Sequence, residues 1–408
     1  MRVTVVGGGL AGLAAALDLA DAGCAVTLLE ARPTLGGAVQ TLPERDGDPD
    51  PPPDNGQHIA LGCFAEYLRF LDRIGESGGY RRLRLELPVI GEDGRVGIIG
   101  RSAASFLRYR HLGLGHRLRV AQALRRLPQS GLNGQAFGPL LRDLGCPDDS
   151  IERFWDVFIR PALNLRTDEA SAEWGVFTVR TALLSDHAAS DVILPAKPLG
   201  WMHGAAAGRA LEHAGATVAV GERVESLEQL EADAIVVATP PEEAARLLGE
   251  PDPRLEHSPI VSVHLLFDRP LLRYPLAALL SSDAHWVFDR GALTGHGPAG
   301  GGQYLTVVSS GVPELMEIRA RDLVGRIADE LTDRLGPAEL LWSRVSREPK
   351  ATIALRPGVT RPLPTTTRAD VIRAGAWTDT GWPATMEGAV RSGRAAAKLV
   401  LERERSAA

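Results

Sequence analysis

Gly7, Gly9 and Gly12 stand in the spacing G-x-G-x-x-G, and an acid, Glu30, closes the next apolar run. Those residue types at that spacing suit the binding of a dinucleotide. The β-branched stretch 3–6 reads as a buried strand, and the alanine-rich stretch 10–22 reads as a helix that Gly23 stops. Residues 25–29 read as a second strand with Glu30 at its end. Gly7 permits the tight turn, Gly9 lets a pyrophosphate approach the backbone, and Gly12 lets helix and strand pack closely. The helix start at Leu10 and Ala11 offers unpaired N–H groups and the positive end of the helix dipole. Glu30 either accepts hydrogen bonds from the adenosine ribose or is a solvated acid at a strand end. The glycine spacing alone is a weak sign. The strand before it, the small Ala16, Gly23 and the terminal acid make it specific.

Beyond Glu30 the chain runs Ala31-Arg32-Pro33-Thr34-Leu35-Gly36-Gly37-Ala38, and a second glycine pair extends the backbone cradle for a longer cofactor. This segment resembles the glycine-rich segment of the flavin amine oxidase and phytoene desaturase superfamily, and the resemblance implies FAD. That pattern places an arginine after the two glycines. Ala38 stands there, and Arg32 either compensates or is a surface arginine. At the far end a strand-like run leads through Gly375 and Ala376 to Pro383, after which Met386, Val390, Gly393, Ala397 and Val400 recur at helical spacing. The resemblance implies that this helix start, around Thr385 and Met386, lies by the flavin ring, where its dipole favours the negative charge of a reduced flavin. The superfamily has an acid where this chain has Ala376; Asp379 or a water would substitute. The run 232–240, containing Ala238, resembles a third nucleotide segment. Val224 lies by the adenine or is a plain core valine.

Two further strings are distinctive: Asp54-Asn55-Gly56-Gln57-His58-Ile59-Ala60-Leu61-Gly62-Cys63, and the run from Thr378 to Gly388. Together they resemble the squalene-associated FAD-dependent desaturase-like family, the hydroxysqualene dehydroxylases of bacterial hopanoid synthesis. The resemblance implies reductive loss of the allylic hydroxyl of hydroxysqualene to give squalene, with Gly56 and His58 at the flavin. His58 is then a turn histidine supported by Asn55 and Gly56, or an acid or hydrogen-bond donor working in its normal titration range. Asp379 either caps the following helix and supports the flavin, or has a chemical role. Trp201, Trp377 and Trp382 shield an allylic cation or fill the core.

The elements that hold these residues must come from distant parts of a 408-residue chain, which is long enough for two domains. The expected fold is α/β and amine-oxidase-like. A discontinuous Rossmann-type FAD-binding domain (1–75, 200–248, 366–408) carries an inserted α+β substrate domain (76–199, 249–365). A net charge of -6 argues against coating nucleic acid. Cys24, Cys63 and Cys146 lie far apart without metal-ligand spacing, which points to a reducing compartment and no metal. An N-terminal apolar run mimics a signal peptide, but Asp18 and Asp21 interrupt it, so a cytoplasmic protein is expected. Residues 94–142 contain no acid, and Arg101, Arg108, Arg110, Arg117, Arg119, Arg125 and Arg126 lie among Leu107, Leu114 and Leu118. That pattern reads as peripheral contact with the inner face of a membrane, or as a solvated arginine-rich helix. Segments 42–53 and 295–302 read as surface loops, the first of them mobile. The expected partner is a hydrophobic isoprenoid; the sequence does not name the electron donor. Rival readings are a carotenoid-type desaturase, a flavin amine oxidase, and a non-catalytic flavin- or nucleotide-binding scaffold, the last motivated by Ala38 and Ala376.

Overall fold

The computed structural model describes residues 1–132, 134–298 and 300–407. The first apolar run forms strand β1 (Arg2–Val6), followed by helix α1 (Leu10–Asp21) and strand β2 (Ala25–Glu30). Small alanine side chains let α1 bury almost all of its length. The chain leaves it through Gly23 at φ +84, a left-handed conformation that glycine adopts without steric cost. Strands β3 (Thr217–Val220), β4 (Ala234–Val237) and β5 (Val371–Arg373) complete a parallel sheet in the order β5-β4-β1-β2-β3. The sheet grows outward from β1 in both directions. The carboxyl ends of β1 and β4 therefore flank a switch point, where open α/β sheets bind ligands.

Helix α2 (Ala65–Arg73) buries Tyr67, Phe70 and Leu71 against this layer. A second, seven-stranded mixed sheet has the spatial order Leu340–Ile353, His257–Phe267, Gln303–Ser310, Trp286–Asp289, Leu276–Leu279, Glu86–Ile90 and Val96–Gly100. Strand alternation divides its residues between two cores. Leu276, Ala278, Trp286 and Phe288 join a cluster with helices α3 (Leu114–Arg126) and α4 (Ala172–Val179). Ala277, Val287, Leu305 and Val307 pack on the other face against helix α5 (Ala320–Leu335). The last helix, α6 (Met386–Ala407), returns to the first sheet and lies along α1. A Cβ on Gly393 would run into the Ala11 carbonyl, so this glycine sets how closely the two helices approach.

Segment 42–53 is not the free loop its composition suggests. Leu42 N donates to Pro53 O at 2.8 Å, and the Asp48 carboxylate pairs with Arg344 at 2.6 Å with both side chains buried. A buried charge must be paired, and that pair fastens the segment to the second sheet. Of segment 295–302, residue 299 lies outside the described residues. No described helix is long and apolar enough to cross a membrane.

Candidate cofactor and substrate site

At the switch point the glycines have different reasons to be there. Gly7 takes φ +108, and a Cβ on Gly12 would run into the Gly7 carbonyl, so both are fixed by the turn itself. Gly37, at φ +61, lies so close to Gly9 that its own Cβ would sit 2.7 Å from the Gly9 Cα. Gly36 N donates to Gly8 O at 2.8 Å, joining the second glycine pair to the first loop. Gly9 differs. Its backbone is extended (φ -76, ψ 175), and a Cβ there would meet nothing nearer than the Gly37 Cα at 3.8 Å. Among the described residues no atom requires glycine at this position. The space a side chain would fill lies before the first N–H groups of α1, at Leu10 and Ala11, which is where a pyrophosphate fits.

Glu30 is buried rather than solvated, and its carboxylate accepts from Gly8 N at 2.6 Å and Arg32 N at 2.7 Å. Ala31, Arg32 and Ala38 are exposed. Arg32 donates to Gly37 O at 3.3 Å, so it braces the second glycine pair from outside. Ala238 N donates to Val6 O at 2.8 Å, which places the end of β4 against the Gly7 turn. Val224 packs in a core cluster with Val6, Leu227 and Ile235. Gly375 (φ +150) receives no side chain because the Trp377 indole fills that space, and its N–H donates to Ser392 Oγ at 2.9 Å. These residues fit a dinucleotide laid along the carboxyl edge of the sheet.

The His58 segment is clamped from two sides. Asn55 Nδ2 donates to Ala38 O at 2.9 Å, and Asn55 N to Gln40 O at 2.9 Å, tying it to the second glycine pair. On the other side Asp54 forms a fully buried ion pair with Arg290 at 3.0 Å, and Arg290 Nη1 reaches Gln57 Oε1 at 3.2 Å. Asp54 Oδ1 also accepts from Thr41 Oγ1 and Leu199 N, both at 2.8 Å. Burial pushes the Asp54 carboxyl upward, while Arg290 and the Leu199 amide pull it down. His264 completes the clamp. Its Nε2–H donates to Asp54 O at 2.9 Å, and Nδ1 accepts from Thr306 at 3.1 Å, a neutral tautomer. Burial, and then the Arg290 charge, lower its pKa to about 3. A Cβ on Gly56 would lie 2.8 Å from Ser262 Oγ, so the segment passes tightly over the second sheet.

His58 itself is half-buried, and its ring meets no hydrogen-bond partner among the described residues. Burial lowers its pKa to about 4, so it does not titrate in the normal histidine range expected of it. Asp379 does not cap α6. Thr385 Oγ1 does, accepting Gly388 N at 3.3 Å, while Asp379 Oδ1 accepts Gly381 N at 3.1 Å in the preceding loop. Asp379 remains 49% exposed and lies 3.5 Å from Arg361. No hydrogen bond or ion pair joins it to His58 among the described residues. Pro383 O accepts Thr385 N at 2.8 Å, which shapes the turn into Met386. Glu387 turns away from this site, accepting Glu66 N and Tyr67 N at the start of α2.

The tryptophans separate. Trp201 is exposed, and Trp377 is core, donating to Thr239 O at 3.0 Å. Trp382 stands edge-on to Phe64 and Phe177, but Arg391 already lies 4.5 Å from its ring centroid. Sequence reasoning missed Arg290, His264 and Arg361. His264 has a local signal, one imidazole in the apolar strand Val261–Phe267, but the two arginines have none.

Residues 206–401 match the family model described as flavin containing amine oxidoreductase, and residues 5–74 match an NAD(P)-binding Rossmann-like domain. The chain is 30% identical to a hydroxysqualene dehydroxylase of Rhodopseudomonas palustris and 28% identical to one of Sinorhizobium fredii, each match covering 98% of both chains. It is 25% identical, over the full length of both, to a probable zeta-carotene desaturase of Synechococcus elongatus. An oxidoreductase from Methanosarcina mazei shares the fold with a TM-score of 0.76 at 17% identity, covering 98% of this chain and 100% of that one.

Proposed function

The chain belongs to the squalene-associated FAD-dependent desaturase-like family, with the hydroxysqualene dehydroxylases, inside the flavin amine oxidase and phytoene desaturase superfamily, and on that premise we propose that it reductively removes the allylic hydroxyl of hydroxysqualene to give squalene for hopanoid or isoprenoid synthesis. The end-to-end likeness to two hydroxysqualene dehydroxylases carries this reading. The protein is an FAD-dependent oxidoreductase, and FAD, when bound and reduced, supplies the hydride. The chain's own residues must do the rest. A hydroxyl leaves as water only if it gains a proton, and the allylic cation left behind needs a dry site. His58, neutral and with no hydrogen-bond partner for its ring among the described residues, is the hydrogen-bond donor to the leaving oxygen; Asp379, half-exposed beside Arg361, is the candidate for handing on the proton. Phe64, Phe177 and Trp382 shield the cation, with one face of Trp382 already taken by Arg391.

Cofactor contact is assigned to Gly7, Gly9, Leu10, Ala11, Gly12, Glu30, the 31–38 segment, Gly56, Ala238, Gly375, Ala376 and the 383–386 turn, with Val224 toward the adenine. The same reading divides the chain into a cofactor part (1–75, 200–248, 366–408) and a substrate part between those segments.

An isoprenoid of this size is delivered from a bilayer, and one face of the protein has the chemistry to meet it. Leu114 and Leu118, 62% and 58% exposed, lie one helical turn apart on α3, with exposed Leu107 and Leu184 on adjoining segments. Arg108, Arg110, Arg119, Arg125 and Arg126 are exposed around them. Arg117 is not part of this face, because it is spent on the Leu107 and Leu112 carbonyls. Exposed leucines ringed by arginines suit peripheral contact with the anionic cytoplasmic leaflet.

Anaerobic, photoreduced enzyme mixed with hydroxysqualene tests the assignment. Flavin reoxidation with stoichiometric squalene is expected; flavin that stays reduced, with no squalene, defeats it. The second reading, a carotenoid-type desaturase, is favoured by the full-length likeness to the zeta-carotene desaturase. It runs in the opposite redox direction, so oxidised enzyme bleached by a carotene, and indifferent to hydroxysqualene when reduced, would select it.

A further inference from the structure

Three buried side-chain donors at the β4–β5 edge of the nucleotide sheet have no hydrogen-bond partner among the described residues: Thr239 Oγ1, Thr380 Oγ1 and Arg361 Nη2. Thr239 follows β4, and Thr380 follows β5. Arg361 enters from the segment before β5, and only 2% of its side chain is exposed. Two contacts hold it in place. Nη1 donates to Ala376 O at 3.3 Å, and the guanidinium lies over the Trp174 ring of α4, 4.8 Å from its centroid. Asp379 Oδ1 stands 3.5 Å from Nη2, but no hydrogen bond forms between them, and that oxygen accepts Gly381 N instead. Burial pulls the Arg361 pKa below its ordinary value, with Asp379 and Glu173 opposing it. A desolvated guanidinium with an unmet N–H is costly, and a fold keeps one where an acceptor arrives from outside.

The sheet order says which acceptor. Glu30 ends β2, and the glycine loop follows β1, so adenosine and pyrophosphate take those two places along the carboxyl edge. Whatever lies past the pyrophosphate falls toward β4 and β5, where the three orphan donors are. We propose that Arg361 donates its free Nη2 hydrogen to an oxygen of the ribityl-phosphate half of FAD, with Thr380 and Thr239 as flanking donors. Arg361 is thus a cofactor-binding residue, and it contributes on the side where Ala376 offers no polar side chain. This depends on FAD being the cofactor and not on which isoprenoid is reduced.

The test is ligand affinity of the full-length apoprotein, read by quenching of flavin fluorescence and by calorimetry. Arg361→Met keeps the packing on Trp174 and removes the donors; it should weaken FAD by roughly tenfold to a hundredfold while leaving AMP binding unchanged. ADP reports the acceptor. It weakens in parallel if the oxygen belongs to the phosphate and is unaffected if it is a ribityl hydroxyl, and either result supports the site. Unchanged FAD affinity, or AMP weakened as much as FAD, overturns it. Should the methionine variant not fold, Arg361→Lys and Thr380→Val decide the matter, because each removes part of the donor set at little cost in volume. Wild-type FAD affinity in both would refute the proposal.

Discussion

At the scale of single residues, burial sets what the histidines can do. His58 and His203 have pKa values lowered to about 4, and His264 to about 3, with desolvation the largest cause in each. A depressed folded-state pKa means that the unfolded chain binds the proton first as pH falls. Their stabilising effect is therefore complete above pH 6.5 and is lost as pH falls toward 4, by about 1.4 kcal/mol per pH unit for each histidine. Urea midpoints measured at pH 7.5, 6 and 5 should fall steadily, and less steeply in His264→Asn; identical slopes would contradict the assignment. Under the proposed mechanism the same shift keeps His58 neutral, so that it acts as a hydrogen-bond donor. His58→Gln, which keeps an N–H, should retain activity to within about tenfold, while His58→Ala loses about a hundredfold or more. A wild-type limb near pH 6.5 that vanishes in His58→Gln would show instead that the ring works as a charged acid. The Asp54–Arg290 pair makes a separate claim. Arg290→Met leaves a buried carboxylate unpaired and should cost about 3–5 kcal/mol in denaturant unfolding. Adding Asp54→Asn should restore much of it; a double variant no more stable than the single one would mean the loss is packing alone.

At the scale of elements, the β1–α1 turn separates two kinds of glycine. Gly9→Val sets its Cβ in space whose nearest described atom is the Gly37 Cα at 3.8 Å, so the apoprotein should fold with a normal melting temperature and take up no FAD. Gly12→Ala drives a methyl into the Gly7 carbonyl and should fail earlier, as poor expression or a lowered melting temperature. Normal flavin content in Gly9→Val would remove the pyrophosphate from this loop. These elements are legible in sequence because their signals are local: residues 3–6, 10–22 and 25–29 reappear as β1, α1 and β2 to within a residue. What stays hidden is pairing across the chain. Nothing near Arg290 announces Asp54, nothing near Arg344 announces Asp48, and the acidic, proline-rich composition of 42–53 conceals its tether. Asp379 fails as a helix cap for a geometric reason, since a capping side chain must directly precede the first turn and Thr385 holds that place.

At the scale of the whole molecule, the proposed contact with a bilayer rests on the arginine–leucine face of α3. Wild-type protein should cosediment with vesicles containing phosphatidylglycerol and not with pure phosphatidylcholine, and added salt should release it. Leu114→Glu with Leu118→Glu should abolish cosedimentation while leaving flavin content and turnover of detergent-dispersed substrate unchanged. Equal binding by both proteins would move the contact elsewhere. The pattern of the arginines was legible in sequence, but their division was not. Arg101 and Arg117 are committed to backbone carbonyls at Ser185, Leu107 and Leu112, and only the fold shows which of the series stay exposed.

The contact of α6 with α1 through Gly393 has a consequence for how the protein is made. Residues 2–30 leave the ribosome well before the strand that finishes their sheet, Val371–Arg373, and before the helix that lies along α1, which begins at Met386. Until those later segments have been translated, α1 presents an uncovered alanine face and the cradle lacks one wall. If the glycine loop holds FAD as proposed, loading waits for those segments, and a nascent chain stalled in its middle carries the glycine fingerprint without the finished cradle.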